Sequence, residues 1–283
     1  MHQTLSLIIF FISIAVASAQ CPEPVKVISG PDMDVCQGGA VMLDGVLEGP
    51  STRCQWIGGK GEFADRGVLP GEYTPSDDEI GTTVAFTLVA ISNDKNCPND
   101  TTQVRIRVNS QPRVSAGSKV RICAGDSAVL RPVITGAYQS VNWVSTGTGT
   151  FDDSHIKDAV YRPSLKDQGL GAVSLQITVI PQGVCLEDSD AVPLTIEQPP
   201  VVTIEPLELI EAGKPVKLSA KSTGAKEVFS WKTTGNGKFE DGGKLNTSYT
   251  PTSRDIKEGF SLELTVVSAT GVCVVRREVG SGR

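Results

Sequence analysis

The chain has 283 residues, with 26 Lys and Arg against 32 Asp and Glu, a formal net charge of -6 and only 5% aromatic residues. With no basic cluster beyond Arg276-Arg277, it excludes nucleic acid as a partner, because phosphate binding needs a concentrated cationic face. Two histidines, His2 and His155, argue against an enzyme built on a histidine base, and nothing in the composition implies a cofactor.

The first segment reads as a signal peptide, residues 1–19. Leu5 to Ala17 is almost wholly apolar, and Ala17-Ser18-Ala19 offers the small residues that signal peptidase needs, leaving Gln20 as the mature N-terminus. Cys21, next to Gln20, also admits a lipid-modified cysteine. No later apolar run reaches the ~20 residues of a membrane span, so an exported chain without a transmembrane segment is expected after cleavage.

The remaining sequence is one module written three times. Trp56, Trp143 and Trp231 fall 87 and then 88 residues apart. Each is followed by a Phe in a Gly-rich turn (Phe63, Phe151, Phe239), a Tyr two residues before a Pro (Tyr73, Tyr161, Tyr249), an alternating apolar run and a Cys (Cys97, Cys185, Cys273). A fixed period of this kind is direct evidence of repeat architecture. It divides the chain into repeats at 20–110, 111–198 and 199–283, joined at Asn109 to Pro112 and at Gln198 to Pro200.

Within the repeats the period is that of strands, with no helical pattern sustained for three turns. In the second repeat Val129 and Val133 frame one strand, and Val141 and Trp143 point inward from the next. Val173, Leu175, Ile177 and Val179 then alternate, and Val192, Leu194 and Ile196 close the module. The first repeat answers with Val84, Phe86 and Leu88, then Val104, Ile106 and Val108; the third with Leu262, Leu264 and Val266. Several strands, one apolar face each and a central buried Trp predict an all-β chain of three tandem immunoglobulin-like β-sandwich domains. Short Pro-containing linkers predict modules stacked end to end as a semi-rigid rod on the order of 110 Å, at ~3.3 Å per strand residue. The last strand of the third repeat looks incomplete. Seven and nine residues after Cys273 stand Gly280 and Gly282, where the other repeats have Val104 and Ile106, and Val192 and Leu194. A poorly covered edge is expected on the strand of Leu262, Leu264 and Val266, either open to strand addition by a partner or marking a fragment of a longer array; the alternative is that Val275, Arg277 and Val279 close the sheet in a shifted register.

The Trp143 turn Thr146 to Phe151, the Tyr-Thr-Pro steps at Tyr73 to Pro75 and Tyr249 to Pro251, and an acidic residue and Gly before the alternating strand resemble the immunoglobulin-like or PKD-like repeats of secreted and cell-surface proteins of Bacteroidota. The resemblance implies stalks, spacers or adhesive arms. Asp126-Ser127-Ala128 and Asp100-Thr101-Thr102 are similar to the short O-glycosylation sites of that group.

Seven Cys in an exported chain imply disulfides with one residue left over. Pairing inside a repeat, Cys36 with Cys97 or Cys123 with Cys185, would have to cross the length of an immunoglobulin-like domain, roughly 30 Å, whereas a bridge needs Cα atoms within ~7 Å. Stacking instead brings Cys36 towards Cys185 and Cys123 towards Cys273, and leaves Cys97 for Cys21. Glu211 replaces the first Cys in the third repeat. Cys54, at an inward position, reads as a small buried hydrophobe; a Cys21 to Cys54 bridge is the rival.

Other motifs are weak. Gly147-Thr148-Gly149 and Gly58-Gly59-Lys60-Gly61 imitate phosphate loops but lead into no helix, so they read as turns. Asp77-Asp78-Glu79, Asp152-Asp153 and Glu187-Asp188 with Asp190 read as solvated acidic loops; the alternative is that their oxygens hold Ca²⁺, although none has an EF-hand pattern. The function expected is a non-enzymatic extracellular rod engaging a protein or cell-surface partner. The alternative is a carbohydrate-binding module, for which Tyr138 is the notable spare aromatic.

Overall fold

The computed structural model describes residues 21, 23–50, 53–223 and 227–279. The signal-peptide segment, Gly280 and Gly282 lie outside them.

Apolar residues at every second position give each repeat strands with one buried face, because successive side chains of a strand leave on opposite sides. In the first repeat Thr83–Ile91 lies between Arg53–Gly58 and Asp100–Asn109, antiparallel to both, and Met33–Cys36 adds in parallel to the far edge of Asp100–Asn109. A second sheet holds Val41–Leu43, Gly71–Thr74 and Glu62–Phe63, beside a ribbon of Lys26–Ser29 and Gly45–Glu48. The second repeat copies this plan. Val120–Cys123 runs parallel to Asp188–Glu197, followed in the sheet by Ala172–Pro181 and Tyr138–Ser145.

The inner faces of both sheets meet in a separate apolar core for each repeat. Trp56, Phe86 and Leu88 fill the first; Trp143, Leu175 and Ile177 the second; Trp231, Leu262 and Leu264 the third. The chain is therefore a tandem of immunoglobulin-like β-sandwiches. Its residues group into two compact units, one running to Gln111 and including Pro181–Leu186, the other comprising Pro112–Ile180 and the residues from Glu187 onward.

Two expectations are corrected. Val129 and Val133 do not frame one strand: they belong to Ala128–Val129 and Val133–Thr135, and both are exposed. The inward residues are Ala128 and Leu130, on either side of Val129, so the parity there is off by one.

The second correction concerns the third repeat. Leu262–Val267 is covered on both sides, by Val228–Thr233 and by Val274–Val279, which pairs with it along its full length. The last strand is reached one residue sooner than a count of seven from the hairpin Cys allows. Val279, six residues after Cys273, opposes Leu262 as Val104 opposes Phe86 and Val192 opposes Leu175. The edge strand among the described residues is Val274–Val279 itself, and no fourth strand pairs with it there.

Candidate functional site

Each repeat wraps one loop around a buried carboxylate. The helix Leu165–Leu170 starts at Ser164, whose Oγ accepts the Asp167 N–H while the Asp167 carboxylate accepts the Ser164 N–H at 3.0 Å. This reciprocal pairing is a capping box. The same carboxylate also accepts the N–H groups of Thr148 at 2.8 Å and Gly149 at 2.7 Å and the Tyr161 hydroxyl at 2.8 Å. Asp255 accepts from Asn236 N, Thr252 N and Tyr249 Oη at 2.7, 2.8 and 3.2 Å. Glu79 accepts from Lys60 N, Ser76 N and Tyr73 Oη at 2.8, 2.9 and 2.5 Å. All three acids are buried.

The Gly-rich turns do bind an anion, but the anion is the protein's own side chain. Converging backbone N–H groups form an anion-binding concavity, and glycine lets the loop close over it. A Cβ on Gly147 would lie 2.5 Å from Asp167 Oδ1, and one on Gly149 2.4 Å from the Arg162 carbonyl oxygen. Burial raises the pKa of Asp167, yet the N–H groups of Thr148, Ser164 and Gly149 and the Tyr161 hydroxyl outweigh it and hold the group at about 2. Asp255 is held at about 2 by the same opposition, and Glu79 is lowered. Burial pushes the Tyr73 hydroxyl up to about 12, with its hydrogen bond to Glu79 adding to the effect.

Glu79 is thus no solvated loop acid, and this role of the three carboxylates escaped the sequence reading. The signal was present in Ser76-x-x-Glu79, Ser164-x-x-Asp167 and Thr252-x-x-Asp255, each starting three residues past the repeated Tyr. The first repeat uses Glu where the others use Asp because its turn is one residue shorter. Lys60 stands four residues after Trp56, whereas Thr148 and Asn236 stand five after their Trp. The extra methylene of Glu makes up the reach.

Trp56, Trp143 and Trp231 sit in the cores, each opposite the alternating strand. Trp143 Nε1 donates to Lys157 O and Trp231 Nε1 to Leu245 O, both at 3.2 Å. The cysteines are joined as Cys21–Cys97, Cys36–Cys185 and Cys123–Cys273, with Cα separations of 4.8, 5.0 and 5.1 Å. Cys21 sulfur is therefore consumed, which leaves none for a lipid thioether. Each hairpin sulfur packs on a backbone carbonyl in the same way: Cys97 on Glu23, Cys185 on Asn109 and Cys273 on Glu197, at 3.7, 3.6 and 3.5 Å. Cys54 is free and buried, its thiol donating to Gly67 O at 3.4 Å.

The remaining polar candidates are occupied by structure. Asp188 and Asp190 accept the N–H groups of Val114 and Ala116 at 2.7 and 2.8 Å, and Asp152 accepts those of Asp153 and Val160. His155 Nδ1 faces both Ser154 Oγ at 3.2 Å and Asp153 Oδ1 at 3.6 Å. A catalytic relay needs the base between its two partners on opposite ring nitrogens; here both crowd one. Among the described residues no group of three His, Cys, Asp or Glu is arranged to hold a metal ion, and no helix is long and apolar enough to cross a membrane. Three cystines suit an oxidising compartment. Tyr138 lies outside the cores and is 40% exposed.

No family model matches the chain, and no curated protein matches it. Solved structures of similar fold include the N-terminal eight Ig domains of Down syndrome cell adhesion molecule, at 12% identity and TM-score 0.40, covering 91% of this chain and 42% of that one. The chain thus spans less than half of that structure. A mouse cadherin-23 segment, EC22-24, is 14% identical with TM-score 0.39, over 91% of this chain and 97% of its own. Rst D1-D2 is 11% identical with TM-score 0.41, over 62% and 100%. At these scores the similarity adds nothing to the fold established above by strands, sheets and cores.

Proposed function

We propose that the chain is a non-enzymatic, exported stalk, spacer or adhesin segment, with repeats at 20–110, 111–198 and 199–283, that meets a protein or cell-surface partner. One observation carries this reading: the groups that could do chemistry are spent on holding the fold. The buried acids bind the turns of their own repeats, the repeated Trp, Phe and Tyr line three cores, and six cysteines form cystines. The short Pro-containing linkers favour an elongated array over independently tumbling modules, and the three cystines support secretion or surface display.

Small-angle scattering tests the array. A maximum dimension on the order of 110 Å is expected from ~3.3 Å per strand residue and three modules; a radius of gyration of ~19 Å, that of one globule of this length, would overturn it. The exposure of Tyr138 favours carbohydrate binding as a second reading. A glycan array settles between them: no bound glycan supports the spacer, and a glycan whose binding is lost in Tyr138→Ala establishes the lectin.

A further inference from the structure

The outer edge of the Trp strand is closed differently in each repeat. Trp56, Trp143 and Trp231 each donate the backbone N–H to the same position of the following loop, held by Arg66, Ser154 and Gly242. In the first repeat the Arg folds back over the edge. Its Nη1 donates to the Trp56 carbonyl at 3.3 Å and the Gly58 carbonyl at 3.1 Å, and the guanidinium carbon lies 4.3 Å from the centre of the Phe63 ring. Two carbonyl oxygens and one aromatic face thus hold a guanidinium, the cation that both stacks on rings and donates in a planar fork.

The second repeat keeps the receptor and lacks the arginine. Trp143 and Ser145 correspond to Trp56 and Gly58, and two residues apart on one strand they send their carbonyls to the same edge; Phe151 corresponds to Phe63. Ser154 is too short to reach that edge, and its Oγ lies 3.2 Å from His155 Nδ1 instead. What remains is an open cleft of about 680 Å³ lined by Trp143, Ser145, Phe151, Asp152 and Asp153. The charge has changed with it, since Asp152 stands where the first repeat has Ala64. Oδ1 of Asp152 accepts the Asp153 and Val160 N–H groups and Oδ1 of Asp153 that of His155, so each acid keeps its Oδ2 for another donor. Among the described residues no Lys or Arg is ion-paired with either acid: His155 Nδ1 stands 3.6 Å from Asp153 Oδ1, and Arg162 acts on Asp152 through its field. The third repeat has acids at the same two positions, Glu240 and Asp241, but answers with its own Lys244, 3.3 Å from Asp241.

We propose that this cleft receives an arginine side chain presented by a protein partner, its guanidinium bonding the Trp143 and Ser145 carbonyls and covering Phe151 while Asp152 and Asp153 balance its charge. The chain itself identifies the occupant, because the first repeat shows which side chain the same edge holds. Arginine also brings five donors and no acceptor to a site made of carbonyl and carboxylate oxygens. The inference gives a chemistry to the protein partner proposed above and rests on that reading.

Titrating the isotope-labelled full chain with the peptide acetyl-Gly-Arg-Gly-amide, followed by NMR, tests it. The amide signals of Ser145, Phe151, Asp153 and Ser154 should shift saturably while those of Gly58 and Phe63, already served by Arg66, stay put. The lysine and citrulline counterparts of the peptide should bind at least tenfold more weakly. Ser154→Arg should supply the missing side chain and abolish the shifts, and A64D/R66S should open the first repeat and create shifts at Gly58 and Phe63. The proposal is overturned by an absence of shifts in the second repeat, by a lysine peptide that binds as well as the arginine one, or by binding that survives Ser154→Arg. Should Ser154→Arg fail to fold, still signals at Gly58 and Phe63 in A64D/R66S overturn it. The titration reads the cleft alone: an elongated chain that ignores the arginine peptide refutes this inference and leaves the spacer standing, whereas a glycan lost in Tyr138→Ala refutes the spacer without moving these signals.

Discussion

Asp167 concentrates the logic of the module, because one side chain satisfies the N–H groups of Thr148, Gly149 and Ser164 and the Tyr161 hydroxyl at once. Asp167→Ala should leave those buried donors unpaired and destabilise the second repeat by about 3 kcal/mol, measured by urea unfolding. An effect below ~1 kcal/mol would mean that water replaces the carboxylate. The pH dependence follows with a definite sign. A carboxyl held at about 2 when folded and near 3.8 when unfolded favours the folded state above the unfolded value, and this stability is lost as pH falls through the folded one. The urea midpoint should therefore drop between about pH 4 and pH 2, and Asp167→Asn should flatten that drop for the second repeat. Glu79→Asp tests the reach argument: although conservative, it should destabilise the first repeat by about 1 to 2 kcal/mol through lengthened hydrogen bonds, and an unchanged midpoint would dismiss it.

Strands were legible in the sequence where one face is wholly apolar and long. Leu175, Ile177 and Val179, or Leu262, Leu264 and Val266, announce themselves because period two needs several repeats to be recognised. The two-residue strands Ala128–Val129 and Thr150–Phe151 are too short to show a period, which is why the parity around Val129 was misread. The sequence leaves the register of the third repeat's last strand open between Gly280 with Gly282 and the shifted set Val275, Arg277 and Val279, because it depends on how many residues the hairpin consumes before pairing starts, and spacing from Cys273 does not fix that; the shifted set is the one observed. Val279 tests the observed register. It stands where Val104 and Val192 stand, so Val279→Gly should cost the third repeat about 1 to 2 kcal/mol in lost apolar burial and strand stiffness. Urea unfolding insensitive to this substitution would show that the sheet closes without it.

Across the whole chain the cysteines report connectivity that neither strands nor cores reveal. Equal spacing within repeats points to Cys36–Cys97 and Cys123–Cys185, whereas the observed bridges span 149 and 150 residues. Geometry separates the two patterns, since the hairpin Cys and the Cys that ends the parallel strand belong to opposite ends of one sandwich. The Cys21–Cys97 bridge has the same local surroundings as the other two, with Glu23 presenting its carbonyl as Asn109 and Glu197 do. One thiol then remains. Cys54 is buried, and burial, followed by the charge of Asp65, raises its pKa, so its reactive thiolate is scarce and shielded. Alkylation of the native, unreduced chain should label no cysteine within minutes, and the same reagent in denaturant should label Cys54 alone. Peptide mapping without reduction should recover Cys21 with Cys97, Cys36 with Cys185 and Cys123 with Cys273. A labelled Cys97 together with a Cys21–Cys54 peptide would refute the pairing at the first repeat while leaving the other two bridges standing.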